Sequence, residues 1–494
     1  MRIIQTDQIL PSQLSAFEKE LVYNGLDCCI TAEVLNVLRP QLDNLTAGTY
    51  AFSRALQGPV LEMRLRGIRI NQARKEAVIS DYRDKISTLE SNLERLVCDG
   101  LGFYGFNWRS NTNLKELFYD RLGIPPIIKQ GRPTVDRNAL ERMEQYSIAR
   151  PIISHLEAMR ELGKKISMLQ TEIDPDGRMR TSYNIAGTTT GRFSSAFSEF
   201  GTGTNLQNVE EILRTVFEAD PGKKLGYFDA KQGESRAVGA IEWNLFKDGK
   251  YLDTCESGDL HTNTAKLCWP DLAWTGELVA DQALAELNYY RHYSRRFMCK
   301  KIGHGSNYGG KPHTLAKQAK VPIKMIEEFQ PKYFTAFPTH LRWHACVQKQ
   351  LLEFGYLISL TDRKRYFWGR RNDNSTLREA IAYDPQGSLS DIVNNGMLNV
   401  WRARDCELLL QTHDGILVQY PEEKEDEVIP RILNQLNYPI TLSHNRTLVI
   451  PYDSKTGWNW GKYSKNNPEG LKSYEPGDKR KRVKAVSILD RKFY

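Results

Sequence analysis

Residues 406–420, CELLLQTHDGILVQY, place two short apolar runs on either side of Thr-His-Asp-Gly. Asp-Gly between apolar runs is a strong hairpin signal, so this stretch commits the chain to antiparallel pairing of Glu407–Gln411 with Ile416–Tyr420. His413 and Asp414 then lie at the tip. An acid there either serves the turn or presents a carboxylate beyond it, and the hairpin alone leaves both open. A further apolar strand, Lys224–Phe228, runs into Asp229; a turn follows, and Glu234 opens a helix, ESRAVGAIEW. An aspartate at the end of a central strand is well placed to hold a metal in a cleft. It serves equally well as a helix cap or a solvated loop acid.

In RRFMCKKIGHGSNYGG, 295–310, Arg296, Lys300, His304 and Tyr308 recur every four residues. Each step advances about 400° on an ideal helix, so the four share one slowly drifting face. Two cations and an imidazole on one stripe suit a triphosphate, although a solvated basic face would also explain Arg296 and Lys300. Gly303 and Gly305 each cost a helix about 1 kcal/mol. That predicts a close approach to the backbone, or a helix that moves. Residues 188–208, TTTGRFSSAFSEFGTGTNLQN, surround Arg192 with small polar residues. These types contact phosphate and sugar, and arginine reaches groove edges; a generic polar loop has the same composition.

The 494 residues suffice for two to four structural units. Asp27–Leu38 reads as a helix closed by Pro40. The pattern from 51 to 97 is helical and ends in the loop CDGLGFYGF. Further helical segments between 107 and 163 are broken by LGIPP, GRPT and Arg150-Pro151. A polar loop-and-strand stretch starts at Arg178, and helices fill 280–355. The segment 465–494 has nine basic against four acidic residues. Lys+Arg exceed Asp+Glu by 68 − 60 = 8, a mild lean toward a polyanionic partner. With no run of 18 apolar residues and no apolar h-region at the start, neither a membrane-spanning helix nor a secretory signal is expected. Eight cysteines without a CxxC pair fit a reducing compartment rather than a zinc ribbon or disulfide framework.

The ordered series TGR…NLQN, D-x-x-x-x-E, R-x-x-x-K…YG and H-D resembles the family A DNA polymerases, the group of bacterial DNA polymerase I, and most closely the phage-type members. The resemblance covers about 51–460. FNWRSNTNLKELFYDRLGIPP and GRPTVDRNAL are similar to the family's thumb. DLHTNTA, YFTAFP, GYLISLTDRKRY and REAIAYDPQGSLSDI are similar to its fingers and palm. It implies an α+β right-hand fold with an antiparallel-sheet palm and mainly helical thumb and fingers. The divisions it implies are an exonuclease-like remnant at 1–50, thumb at 51–165, palm at 166–260 and 375–464, fingers at 261–374 and a basic tail at 465–494.

The resemblance also implies roles. Asp229 and Asp414 would hold two Mg²⁺ about 4 Å apart, with Mn²⁺ able to substitute; one would activate a primer 3′-hydroxyl and the other stabilise the leaving pyrophosphate. Glu234 matches the acid that excludes a ribose 2′-hydroxyl. His261, Arg296 and Lys300 match triphosphate contacts, with His304 on the same stripe, and Tyr308 matches the aromatic beside the nascent base pair. Arg192, Arg378, Gln386 and His413 match positions at the primer–template duplex. The activity implied is template-directed addition of dNTPs to primer DNA, in viral genome replication in a host cytoplasm. The alternatives are a single-subunit RNA polymerase, against which Glu234 argues, and an inactive DNA-binding homologue.

Three departures stand out. Gly415 replaces the usual glutamate of His-Asp-Glu, His304 replaces Phe or Tyr, and most of the proofreading domain has no counterpart. Tyr23 and Asp27 match its YxxxD element, yet read alone as a buried tyrosine and a helix N-cap. A separate exonuclease or replication subunit docking on residues 1–50 would supply the missing acids. No membrane association is expected.

Overall fold

Alternation along KKLGYFDA turns Leu225, Tyr227 and Asp229 to one face of a strand and Lys224, Gly226 and Phe228 to the other. In the computed structural model, which describes residues 11–478 and 480, this strand runs Lys223–Ala230. It is the middle of a five-stranded antiparallel sheet ordered Glu407–Gln411, Gly415–Pro421, Lys223–Ala230, Tyr452–Gly457, Lys472–Ser473. Pairing with the hairpin puts Gly415 opposite Asp229, and the other neighbour puts Asp453 opposite Asp229. The last strand comes from the segment read as a tail. Arg480 binds the sheet too, donating to the Thr456 carbonyl at 3.0 Å. The rest of the basic run, Lys479 and 481–484, lies outside the described residues.

The chain divides into two compact units. The unit holding this sheet comprises 58–233, 392–439 and 449–494. Leu225, Leu409, Leu410 and Leu417 pack there with Leu206, Leu213, Val216 and Trp460. A second core, from Leu93 to Met159, is built on helical segments. The stretch 51–97 is not continuously helical: Ile68–Ile70 forms a strand between Arg178–Met179 and Phe217–Glu218. Gly67 makes this possible with φ +61, where a Cβ would lie 2.8 Å from the Met179 carbonyl oxygen.

The other unit comprises 1–57, 234–391 and 440–448. Its core includes Val238, Tyr251, Met298, Ile326, Tyr333, Trp343 and Tyr383. The region 280–355 is helical apart from the short strands Asn288–Tyr290 and Tyr293–Ser294. The first helix starts at Ala16 rather than Asp27, because Ser15 and Glu18 form a capping box. Asp27 is therefore inside the helix, not its N-cap, and Tyr23 is exposed rather than buried. No residue of Ala16–Leu38 is buried, and Phe17, Leu21, Leu26, Ile30 and Val34 stand exposed. Ala16–Gln41 is long and apolar enough to cross a membrane, contrary to the expectation from unbroken runs: its few charges are spaced widely enough to leave a sufficiently apolar window.

Candidate active site

Two strands and a hairpin turn carry acids to one end of the sheet. Asp229 is the penultimate residue of its strand, and Tyr227, two residues earlier on the same face, donates its hydroxyl to Asp229 Oδ1 at 3.0 Å. Asp414 ends the three-residue turn after Glu407–Gln411, in which His413 adopts φ +61. Its backbone carbonyl accepts from the Ala230 amide at 2.8 Å, which locks the turn to the central strand. Burial raises the Asp229 carboxyl, and Asp453 on the adjoining strand pushes it the same way.

The turn is held from behind by a buried amide network. Gln411 accepts from Gln207 Nε2 at 2.7 Å and from the His413 amide at 3.2 Å, and it donates to Asn394 at 3.3 Å. Tyr183 donates to the Gln411 carbonyl at 3.2 Å. Burial lowers the His413 ring, with Arg192 adding to the effect, and its Nδ1 is buried without a hydrogen bond. Arg192 donates to Asp414 Oδ1 at 3.1 Å. Gly415 is required by close approach: a Cβ there would lie 2.3 Å from the Phe228 carbonyl oxygen and 3.2 Å from Asp229 Cα. The glutamate of the commoner motif has no room in this register.

The other unit groups the second set of residues. Glu234 lies in the first turn of Gly233–Phe246 and accepts from the Tyr308 hydroxyl at 2.5 Å. His304 Nε2 is 3.6 Å from the same carboxylate, and its ring meets Tyr308 edge-on at 5.2 Å. Asp259 binds the Arg296 guanidinium through both oxygens, at 2.7 and 3.0 Å, and Glu286 takes a third N–H at 2.9 Å. Burial alone would raise Asp259, but Arg296 and Thr262 outweigh it and hold the carboxyl at about 2. His261 is pushed down to about 4 by burial, with Arg296, Lys300 and His304 adding to the effect. It is therefore neutral at physiological pH, and the cations of the stripe are gathered around it.

The stripe is not a regular helix, because Cys299–Gly303 is a π turn between Arg295–Met298 and His304–Asn307. The extra residue widens the turn, a device common at functional sites. The glycines answer to packing within the unit. A Cβ on Gly303 would meet the Tyr333 ring at 3.1 Å, and one on Gly305 would meet Leu315 Cδ2 at 2.4 Å. Arg378 is exposed and Gln386 half-buried on Asn374–Ala403.

Residues 73–462 match the sequence model of DNA polymerase family A. The chain belongs to this family. It is similar to the thermostable DNA polymerase I of Thermus filiformis, 27% identical over 404 residues that make up 76% of this chain and 44% of that protein. DNA polymerase I of Chloroflexus aurantiacus is 27% identical over 481 residues, 90% of this chain and 47% of that one. The chain spans about half the length of these curated relatives. Its fold is also similar to the POL domain of Pol1 from M. smegmatis in complex with DNA primer-template and dNTP. That likeness has a TM-score of 0.66 at 23% identity and covers 82% of this chain and 69% of that one.

Sequence reasoning missed Asp453 and the Gln207–Gln411–Asn394 network. Asp453 follows Pro451-Tyr452 without a recognisable motif, and only strand pairing puts it beside Asp229. Gln411 was legible as the polar end of an apolar strand. For a family A polymerase the donor set at Asp229 and Asp414 fits Mg²⁺. Both side chains are carboxylates, and a cation would relieve the burial and like charge at Asp229. Among the described residues no group of three or more His, Cys, Asp or Glu is placed to hold a metal. Mg²⁺ takes one or two protein carboxylates and completes its shell with phosphate and water oxygens.

Proposed function

We propose that this chain is a template-directed DNA polymerase that extends a primer 3′-end with dNTPs. The observation that carries the reading is the strand register, which sets Asp414-Gly415 against Asp229 at one end of an antiparallel sheet. Asp229 and Asp414 would hold two Mg²⁺, which when bound lower the pKa of a 3′-hydroxyl and stabilise leaving pyrophosphate. Arg296 and Lys300 bind the triphosphate, Arg296 exchanging Asp259 for phosphate, and neutral His261 donates a hydrogen bond. Glu234, held by the Tyr308 hydroxyl, would select the sugar by excluding a ribose 2′-hydroxyl. Arg192, Arg378, Gln386 and His413 position the primer–template. Catalysis is then mainly positioning and electrostatics.

In this reading the thumb is 51–165, the palm 166–260 and 375–464 and the fingers 261–374, and the palm sheet also takes in Lys472–Ser473. Tyr23 and Asp27 lie on an exposed helix and bring one carboxylate to a 3′–5′ exonuclease site that needs several. The uncovered apolar residues of that helix favour a separate subunit that docks there.

Primer extension with Mg²⁺ tests the reading, with dNTPs in one reaction and rNTPs in another. Extension with dNTPs alone is expected, and Glu234→Ala should admit rNTPs. Extension only with rNTPs identifies an RNA polymerase, and none with either identifies an inactive homologue.

A further inference from the structure

The hairpin Tyr356–Ile358 and Lys364–Tyr366 has two unlike faces. Leu357 and Phe367 are buried in the core of their unit. The opposite face carries Phe354, Tyr356 and Ile358 along one side and Lys364, Tyr366 and Trp368 along the other. Tyr356 pairs with Tyr366 and Ile358 with Lys364 across the strands. Four rings form an unbroken row: Phe354 to Tyr356 at 5.9 Å between centroids, Tyr356 to Tyr366 at 5.4 Å, Tyr366 to Trp368 at 6.0 Å. The row opens outward, with Phe354 49%, Tyr366 48% and Trp368 91% exposed. A tryptophan left almost wholly in water at the end of an aromatic row has given up most of the burial that tryptophans usually gain.

The row runs through the most basic stretch of the described chain. Residues 363–371, RKRYFWGRR, hold five cations and no acid. Arg363 is paired with Asp391 and Arg365 with Glu379. Lys364 lies 4.5 and 5.1 Å from the centroids of Tyr356 and Tyr366, with Asp43 at 3.2 Å. Arg370 and Arg371 follow Trp368 and are exposed, and Arg371 also donates to the Leu352 carbonyl at 3.2 Å. Rings in a row with cations beside them match a strand of unpaired bases on a phosphate backbone. Duplex DNA does not fit, because its bases are already stacked and present no π-face. An aliphatic protein partner would leave the arginines unanswered.

We propose that the face formed by Phe354, Tyr356, Tyr366 and Trp368 is a stacking platform for single-stranded DNA, with Arg370 and Arg371 on its phosphates. Given the polymerase reading, on which this identification of the strand rests, the occupant is unpaired template.

The test is fluorescence anisotropy of a labelled oligothymidylate with the full chain, without Mg²⁺ or nucleotide, so that it does not depend on synthesis. Trp368→Ala should weaken binding about tenfold and Tyr366→Ala with Trp368→Ala about a hundredfold. Trp368→Phe should stay close to wild type, and affinity for a flush-ended duplex should not change. In primer extension the double variant should lose activity on a long single-stranded template and keep it on a one-nucleotide overhang. Equal oligothymidylate affinity in wild type and the double variant would overturn the platform. So would an equal loss on flush-ended duplex, or a wild-type dimer in sedimentation that Trp368→Ala dissociates. If wild type extends no primer while the oligothymidylate result holds, the polymerase reading fails and the platform stands.

Discussion

Asp229 and Asp414 have no substitute in their surroundings. In the proposed reading each is an oxygen donor at one end of the sheet, and Asp453 offers a third carboxylate from a different strand without occupying either place. Asp229→Ala and Asp414→Ala should therefore each reduce primer extension by about a thousandfold or more. Binding of duplex DNA should be largely retained, because affinity comes mainly from phosphate contacts. Near-normal extension by either variant would remove the assignment. Gly415 gives a sharper test, since the commoner glutamate would add a carboxylate to the site. The backbone of Phe228 and Asp229 occupies the space. Gly415→Glu should lower stability by about 1–3 kcal/mol, as overpacking does, and lose extension with it. A variant that unfolds at the wild-type denaturant midpoint would show that the strand yields.

The same logic of enclosure works on the helix Asn374–Ala403 and the hairpin before it. Asp384 Oδ1 accepts from the Leu360 amide at 2.9 Å and the Ser388 hydroxyl at 2.8 Å. Asp391 receives the Thr361 hydroxyl at 2.8 Å and the Arg363 guanidinium. The two acids tie the loop 359–363 to the helix. Asp391 has a cation partner; for Asp384, burial dominates and pushes the carboxyl up to about 6, against 3.8 for an ordinary aspartate. A folded pKa above the unfolded one means the protonated form favours folding. That stabilisation is complete below about pH 4 and is lost as pH rises through about 6. Asp384→Asn keeps an acceptor and cannot ionise. It should raise stability by about 3 kcal/mol at about pH 8 and by about half as much at about pH 5. Thermal midpoints at the two pH values check this; an equal gain at both would mean that the carboxyl does not titrate there.

The central sheet reaches further along the chain than the catalytic motifs do. Lys472–Ser473 pairs with Lys455–Thr456, and Arg480 donates to Thr456. Deleting 465–494 should therefore lower the thermal midpoint by several degrees, roughly what a loss of 1–2 kcal/mol gives in a domain of this size. It is thus a poor probe of DNA binding by the basic run. Truncation after Arg480 keeps the strand and removes most of that run. A flatter salt dependence of duplex affinity is then expected if those residues hold phosphates. An unchanged slope would assign the DNA contacts to the units that precede them.

Short-range chemistry was legible before any coordinates. Asp-Gly between apolar runs dictated the hairpin, alternation dictated the strand ending in Asp229, and small polar residues marked the loop around Arg192. Motif order was enough to identify the family. What these patterns share is that their physical cause lies within a few residues. The first helix was misplaced because its start depends on Ser15 and Glu18 rather than on the apolar pattern, and Ile68–Ile70 was read as helix because its partners lie far along the chain. The π turn at Cys299–Gly303 and the packing of Gly305 on Leu315 were likewise beyond a helical wheel, which assumes one regular pitch. Only strand register places Asp453 beside Asp229 and closes the space above Gly415, because register is a property of two segments and neither carries it alone.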